Sequence, residues 1–337
     1  MTALVTGGGG FLGGVLVRKL LARGDTVRSF SRTAHPSLTE LGVEQVRGDL
    51  TDPATVRRAA VGCEVVFHVA AKAGVWGRYA DYYGTNVVGT ENVIVACRAE
   101  GVPKLVFTST PSIVHGGAEL AGVDESTPYP ARYEAYYPET KARAERAVLA
   151  ANDGTLSTVA LRPHLIWGPL DPHLIPRVVA RARAGKLRRV GTAPVVVDVT
   201  YVDNAADAHV LALDRLAPGA ACAGKPYFVT NGEPIELWEF LNRVLLVEGV
   251  APVARSIPVW RARLAAAALE RVYRTLRLRG EPPLTRFVVS QLSTSHYFDI
   301  GAARRDLGYE PRVTVAEGLA RLAAALAPPA EDARRAA

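Results

Sequence analysis

The chain has 337 residues and a mass of 36.0 kDa, with 49% hydrophobic and 22% charged side chains and a net charge of +7. That composition excludes an intrinsically disordered protein, and no run approaches the ~18–20 continuous apolar residues of a spanning helix. Met1-Thr2-Ala3 leads at once into a strand-like run, with no basic n-region or cleavage site, so a cytoplasmic chain is expected. Cys63, Cys97 and Cys222 form no CxxC pair and no metal spacing; buried reduced thiols and no metal site are expected.

In chain order, strand-like runs at 3–6, 26–30, 44–47, 65–69, 104–108 and 157–161 alternate with helical periodicity at 11–22, 53–60, 85–99 and 137–151. Asp52-Pro53 reads as an N-cap followed by proline in the first turn. Strand–helix alternation with apolar strands predicts an α/β fold, a Rossmann-type doubly wound parallel sheet. A strand at 198–202, a helix capped by Asp203, a strand at 227–229 and helices after Pro234, at 259–279 and at 315–326 follow. They predict a smaller, mostly helical C-terminal substrate lobe. The expected division is a nucleotide-binding domain over 1–168, a substrate lobe over 169–327 with part of the chain returning to the sheet, and a disordered tail over 328–337.

Between the first strand and first helix stands Val5-Thr6-Gly7-Gly8-Gly9-Gly10-Phe11-Leu12-Gly13. Gly7 suits a tight turn, Gly10 a close backbone approach to phosphate, and Gly13 close helix–strand packing. The second strand ends in Ser31-Arg32-Thr33, with no acid between Arg28 and Leu38. A carboxylate there would repel a 2′-phosphate, whereas Ser31 and Arg32 attract one, so NADP(H) is favoured over NAD. Asp49, after the third strand, is placed to accept from an adenine amino group or to hold a turn.

Tyr137 and Lys141 lie four apart on one helix and so share a face. An ammonium beside a phenol is expected to lower the phenol pKa and let it exchange a proton with a substrate oxygen. Thr110, with Ser109 and Ser112 as alternatives, follows the fifth strand, where open parallel sheets bind ligands. Residues 254–286 carry eight arginines against Glu270 and Glu281, a net +6. No nucleic-acid-binding motif accompanies them, so an anionic small molecule, a membrane surface or a pathway enzyme is the expected contact.

These features resemble the extended short-chain dehydrogenase/reductase superfamily from about Thr2 to Leu326. Its Thr-Gly-x-x-Gly-x-x-Gly pattern falls on Thr6, Gly7, Gly10 and Gly13, its tyrosine and lysine on Tyr137 and Lys141, and its hydroxyl on Thr110, a threonine where serine is usual. Asn86 is the matching polar fourth member. The resemblance implies further coenzyme contacts at Phe11, Leu12, Leu50, Ala70, Ala71, Lys72, Pro163, Leu165 and Ile166, and a homodimer through the helices carrying Asn86 and Tyr137.

Leu161–Pro169 and Asp198–His209 are similar to the 3β-hydroxysteroid dehydrogenase branch. Ala71–Gly77, Thr108–Ser112 and Arg279–Arg286 are similar to bacterial 2-alkyl-3-oxoalkanoate reductases, which reduce a long-chain branched β-keto acid with NADPH in olefin biosynthesis. Trp76, His164, Arg279 and Arg286 are the candidate contacts for such a lipid-like carboxylic acid. The alternatives are a 3β-hydroxysteroid or sterol-4-carboxylate 3-dehydrogenase, a sugar-nucleotide epimerase and a non-catalytic NADP-binding sensor. A dehydratase would need Asp-Glu after the threonine, where Pro111-Ser112 stands.

Overall fold

Seven strands form one sheet in a computed structural model that describes residues 1–327; the expected tail lies outside the described residues. They are β1 (Thr2–Thr6), β2 (Thr26–Ser31), β3 (Glu44–Arg47), β4 (Val65–His68), β5 (Lys104–Thr108), β6 (Ser157–Pro163) and β7 (Lys225–Val229). The order is β7-β6-β5-β4-β1-β2-β3, and every pair is parallel. The order reverses between β1 and β4, and such a switch point opens a crevice at the carboxyl ends of the strands.

Side chains on a strand alternate between faces, so the sheet carries two cores. Ala3 and Val5 pack with Leu16, Val17 and Leu20 of α1 (Phe11–Ala22). On the other face, Leu4, Val66 and Phe107 pack with Val56 and Ala59 of α2 (Pro53–Ala60), Val93 and Ala96 of α3 (Gly89–Ala99), and Ala144 and Val148 of α4 (Tyr136–Ala150). The Asp52 side chain accepts from Ala54 N–H at 3.1 Å and starts α2 as expected.

The expected helix at 85–99 begins earlier. A turn of α-helix at Tyr79–Tyr83 and a π-helical turn at Gly84–Val88 run into α3. Single π turns commonly mark functional sites, and this one buries Asn86.

After β6 the chain leaves the sheet and then returns to it. Thr200–Tyr201 pairs with Ile166–Trp167, α5 (Val202–Arg215) packs on α1 in the first core, and β7 completes the sheet beside β6. The expected strand at 198–202 is broken because the Asp198 carboxylate turns inward to accept from Phe298 N–H. Tyr201, not Asp203, is the residue before α5; Asp203 lies in its first turn and pairs with Lys19.

The lobe comprises α6 (Leu237–Val247), α7 (Val259–Thr275), a helix at Arg286–Ser293 and α8 (Val315–Leu326). It is tied to the sheet unit by His296–Phe298, which lies between Val196–Val197 and Leu120–Val123. The helix expected to reach 279 stops at Thr275, and Arg277 adopts φ 49°. Among the described residues no helix is long and apolar enough to cross a membrane.

One buried ion pair fastens α4 to β6. Arg162 donates from Nη2 to Glu145 Oε1 at 2.6 Å and from Nε to Oε2 at 3.0 Å; Tyr129 donates to Oε1 at 2.8 Å. The Arg162 and Glu145 side chains are 3% and 0% exposed, so losing one partner strands a charge in the core. Arg162→Met is expected to cost about 3–5 kcal/mol in urea unfolding, and adding Glu145→Leu to restore most of it. An Arg162→Met protein as stable as the parent would contradict this.

Candidate active site

The glycine loop is shaped so that only glycine fits at two points. Gly7 has φ +72°, and a Cβ there would lie 3.1 Å from the Ala70 Cα. A Cβ on Gly13 would lie 2.1 Å from the Gly7 carbonyl oxygen. Gly10 precedes α1 and no side chain caps it, so the first N–H groups and the positive end of the helix remain available to an anion. These features fit a dinucleotide pyrophosphate at Phe11, Leu12 and Gly13.

At the end of β2, the Ser31 hydroxyl donates to Thr33 O at 2.6 Å, and Arg32 is exposed. Asp49 accepts from Thr51 N–H at 2.9 Å and from its hydroxyl at 2.7 Å. Those bonds, with the charge of Arg32, hold its carboxyl below the usual range. Leu50 is buried, and its carbonyl accepts from Asn92 at 2.8 Å. The sequence reading missed His35, whose ring lies over Gly9. No spacing signal points to it, because a loop brings it back.

Tyr137 and Lys141 occupy the first turns of α4, but they do not act on each other as their spacing predicts. Lys141 is 2% exposed. Its ammonium donates to Thr108 O, at the end of β5, at 2.6 Å and lies 3.9 Å from the Phe107 ring centroid. Burial pulls its pKa down to about 7, opposed by Glu145. Burial likewise drives the half-buried Tyr137 phenol up to about 12, opposed by the nearby Thr110 hydroxyl. In the protein alone the cost of desolvating a phenolate exceeds any help from the lysine, whose proton is directed at a carbonyl.

Thr110 Oγ1 accepts from Ser112 N–H at 3.3 Å and lies 3.0 Å from Ser112 Oγ. Tyr137, Thr110 and Ser112 therefore form one group of hydroxyls beyond β5. Ser109 stands apart: its hydroxyl is buried with no partner among the described residues.

A buried chain of polar groups links the glycine loop to α4. Thr6 Oγ1 lies 2.8 Å from His68 Nδ1, and His68 Nε2 lies 2.9 Å from Thr90 Oγ1. Thr90 donates to Asn86 O at 2.7 Å, so it must accept from His68 Nε2–H, leaving Nδ1 to accept from Thr6. Asn86 donates to Thr140 Oγ1 at 3.0 Å, and Thr140 donates to Tyr136 O at 2.8 Å. Asn86 also clamps the Lys72 backbone, accepting from its N–H at 2.7 Å and donating to its carbonyl at 3.1 Å. Ala70 N–H donates to Thr6 Oγ1 at 3.1 Å, so the whole 70–72 segment hangs from this chain. Burial, and then the Lys141 charge, push the His68 pKa down to about 3, which keeps it neutral.

On the other side, Pro163 ends β6, and Leu165 adopts φ 42°, a costly left-handed conformation for leucine, just before Ile166. His164 is buried, donates from Nδ1 to Asp198 O at 2.6 Å, and meets the rings of His296 and Phe298 edge-on at 4.9 and 5.4 Å. His115 stands 5.8 Å beyond His296. This row of histidines is assembled from distant segments and was invisible in the sequence; burial lowers all three pKa values. Among the described residues no group of side chains is placed to hold a metal ion.

Half-buried Trp76 packs edge-on against Tyr273 of α7 at 6.4 Å. Arg286 is paired with Glu270 at 2.9 Å, and Arg279 lies in the exposed turn after α7. Neither is joined to Tyr137 or Thr110 by a described contact.

Residues 4–258 match the 3-beta hydroxysteroid dehydrogenase/isomerase family. The chain belongs to that family. It is thus an NAD(P)-dependent oxidoreductase of the extended short-chain dehydrogenase/reductase type. It is 53% identical over 330 residues, 97% of this chain and 100% of the relative, to the 2-alkyl-3-oxoalkanoate reductase of Stenotrophomonas maltophilia (strain K279a). It is 37% identical to the decarboxylating sterol-4-alpha-carboxylate 3-dehydrogenase of Mus musculus, across 94% of this chain and 88% of that one. Among solved structures, the UDP-glucose 4-epimerase of Thermus thermophilus in complex with NAD is similar, with 28% identity, a TM-score of 0.68, and 96% and 97% of the two chains covered.

If the buried chain transmits the shape of the coenzyme loop to α4, His68→Leu should weaken NAD(P)H binding, followed by nicotinamide fluorescence, by about tenfold. His68→Gln, which retains a donor and an acceptor, should recover most of it. Equal affinity in all three proteins would contradict the link.

Proposed function

We propose that the chain reduces the C3 ketone of a long-chain 2-alkyl-3-oxoalkanoic acid to the 3-hydroxy acid, with NADPH, as a step of olefin or hydrocarbon biosynthesis. The observation that carries this reading is the placement of the Tyr137 phenol by the Thr110–Ser112 hydroxyls beyond the carboxyl end of β5, on a helix anchored there by Lys141. The full-length similarity to a reductase of that name supports the substrate class.

Bound NADPH supplies the hydride that reaches C3. Tyr137, with its phenol held at about 12 by burial, is protonated at neutral pH and is the donor of the proton that the carbonyl oxygen takes up. Thr110 holds that oxygen through its hydroxyl as negative charge develops. Lys141, whose ammonium sits at the end of β5, would hold the nicotinamide ribose, and the proton that Tyr137 gives up is regained from solvent. Overall, ketone, NADPH and one proton become alcohol and NADP⁺.

NADPH is preferred because Arg32 offers charge and Ser31 a polar neighbour to a 2′-phosphate, with no acid in β2. Trp76 and His164 are the candidate substrate contacts of this reading. A cytoplasmic homodimer through α3 and α4 completes the reading; the exposed Val95 on α3 and Tyr136 on α4 support that contact.

The test is loss of NADPH absorbance with 2-alkyl-3-keto acids of graded chain length, beside UDP-sugars and a 3β-hydroxysteroid run oxidatively. Turnover that improves with alkyl length is expected; NADPH binding without turnover on any carbonyl, or turnover on sugar nucleotides alone, would overturn the proposal. In the same assay Tyr137→Phe should lose about 10²–10⁴ in kcat while still binding NADPH. Arg32→Asp should move preference toward NADH by at least about tenfold, and an unchanged NADPH/NADH ratio would remove Arg32 from the pocket.

A further inference from the structure

The helix α7 has two apolar faces, and only one is covered. Ala262 and Ala266 pack inward on Val190 and Val289. On the outside, Trp260, Leu264, Ala268, Val272 and Leu276 recur at intervals of four, which makes a continuous ridge along a helix. Trp260, Leu264, Val272 and Leu276 are 60%, 63%, 45% and 64% exposed. With Leu278 they make five of the twelve large exposed hydrophobic residues among those described, so the clustering is not the ordinary scatter of a soluble surface.

The same segment carries eight exposed arginines. Of its two acids, Glu270 is taken up by Arg286, and Glu281 by Arg177 from outside the segment. Arg255, Arg261, Arg263, Arg271, Arg274, Arg277 and Arg279 have no acidic partner among the described residues. Arg271, Arg274 and Arg286, with Glu270, line an open depression of about 410 Å³ beside the ridge. The Arg261 guanidinium lies 5.1 Å from the Trp260 ring centroid, giving the most exposed aromatic of the ridge a charged flank.

We propose that α7 and the turn after it dock onto the surface of an anionic phospholipid bilayer. The helix would lie in the interface plane, with the ridge among the upper acyl chains and the arginines on lipid phosphates. A second copy of the chain is the poorer occupant, because a two-fold contact would set unpaired arginines against one another. Nucleic acid would match the charge but leave the apolar ridge without a partner. The surface adjoins the site: at its far end Tyr273 and Arg274 pack on Trp76, in the segment that follows β4. The inference does not depend on the substrate proposed above.

The experiment is flotation of the full chain with vesicles of phosphatidylcholine alone or mixed with phosphatidylglycerol, at low and high salt. Bound protein should rise at least about tenfold with phosphatidylglycerol and fall again with salt, and inorganic phosphate should not compete for it. Leu264→Ser with Leu276→Ser, and separately Arg263→Gln with Arg277→Gln, should each reduce binding several-fold while NADPH binding is unchanged. The blue shift of tryptophan fluorescence on binding should vanish in Trp260→Phe. Equal binding to both vesicle types, no binding to either, or binding untouched by both double variants would overturn the proposal. So would a dimer lost in Leu264→Ser/Leu276→Ser without lipid, or capture by duplex RNA in preference to vesicles.

Discussion

The site depends on one buried ammonium held by one carbonyl. Lys141 reaches across from α4 to the last carbonyl of β5, and this contact sets where the helix begins relative to the sheet edge. Tyr137 is one turn earlier on that helix and Thr110 two residues beyond that strand end, so the same contact brings phenol and hydroxyl together. The Glu145–Arg162 pair holds the next turn of α4 to β6, which leaves the helix little freedom to slide. A cation in so dry a place is poorly solvated, and its lowered pKa is the measure of that cost.

Two polar systems extend this constraint in opposite directions. Toward the coenzyme, the chain from Thr6 through His68, Thr90 and Asn86 to Thr140 permits only one histidine tautomer, so each hydroxyl has a defined direction. Toward the lobe, Thr108 Oγ1 lies 2.7 Å from His209 Nε2 while His209 Nδ1 donates to Ala205 O, fastening α5 to the end of β5. Both histidines are held neutral by burial, at about 3 and about 4, so neither is a proton carrier near neutrality; they position the elements around them.

Sequence-local signals were the readable ones. The glycine loop, the Asp52-Pro53 helix start and the alternating apolar strands each rest on neighbours within a few residues, and the structure carries them at the expected positions. The π turn around Asn86 was not legible, because its five residues, Gly84–Val88, carry no residue pattern that separates a π turn from an α turn. Nor was the direction of the Lys141 proton: a four-residue spacing says that two side chains share a face, and says nothing of a carbonyl on another element. His35, His115 and His296 were missed for the same reason, since their partners come from distant segments. Arg279 and Arg286 were singled out by their charge and by the similarity of the Arg279–Arg286 stretch, and charge by itself does not say which ligand an exposed arginine meets.

The most direct test of this account is calorimetry of NADPH binding near pH 8 in buffers of different ionisation enthalpy. Free Lys141, with a pKa of about 7, is mostly deprotonated there. A coenzyme that brings negative charge and ribose hydroxyls to its ammonium raises that pKa, so binding should take up a proton. The account predicts uptake approaching one proton in the parent protein and none at that site in Lys141→Met. Binding without uptake, or uptake undiminished in Lys141→Met, would contradict it.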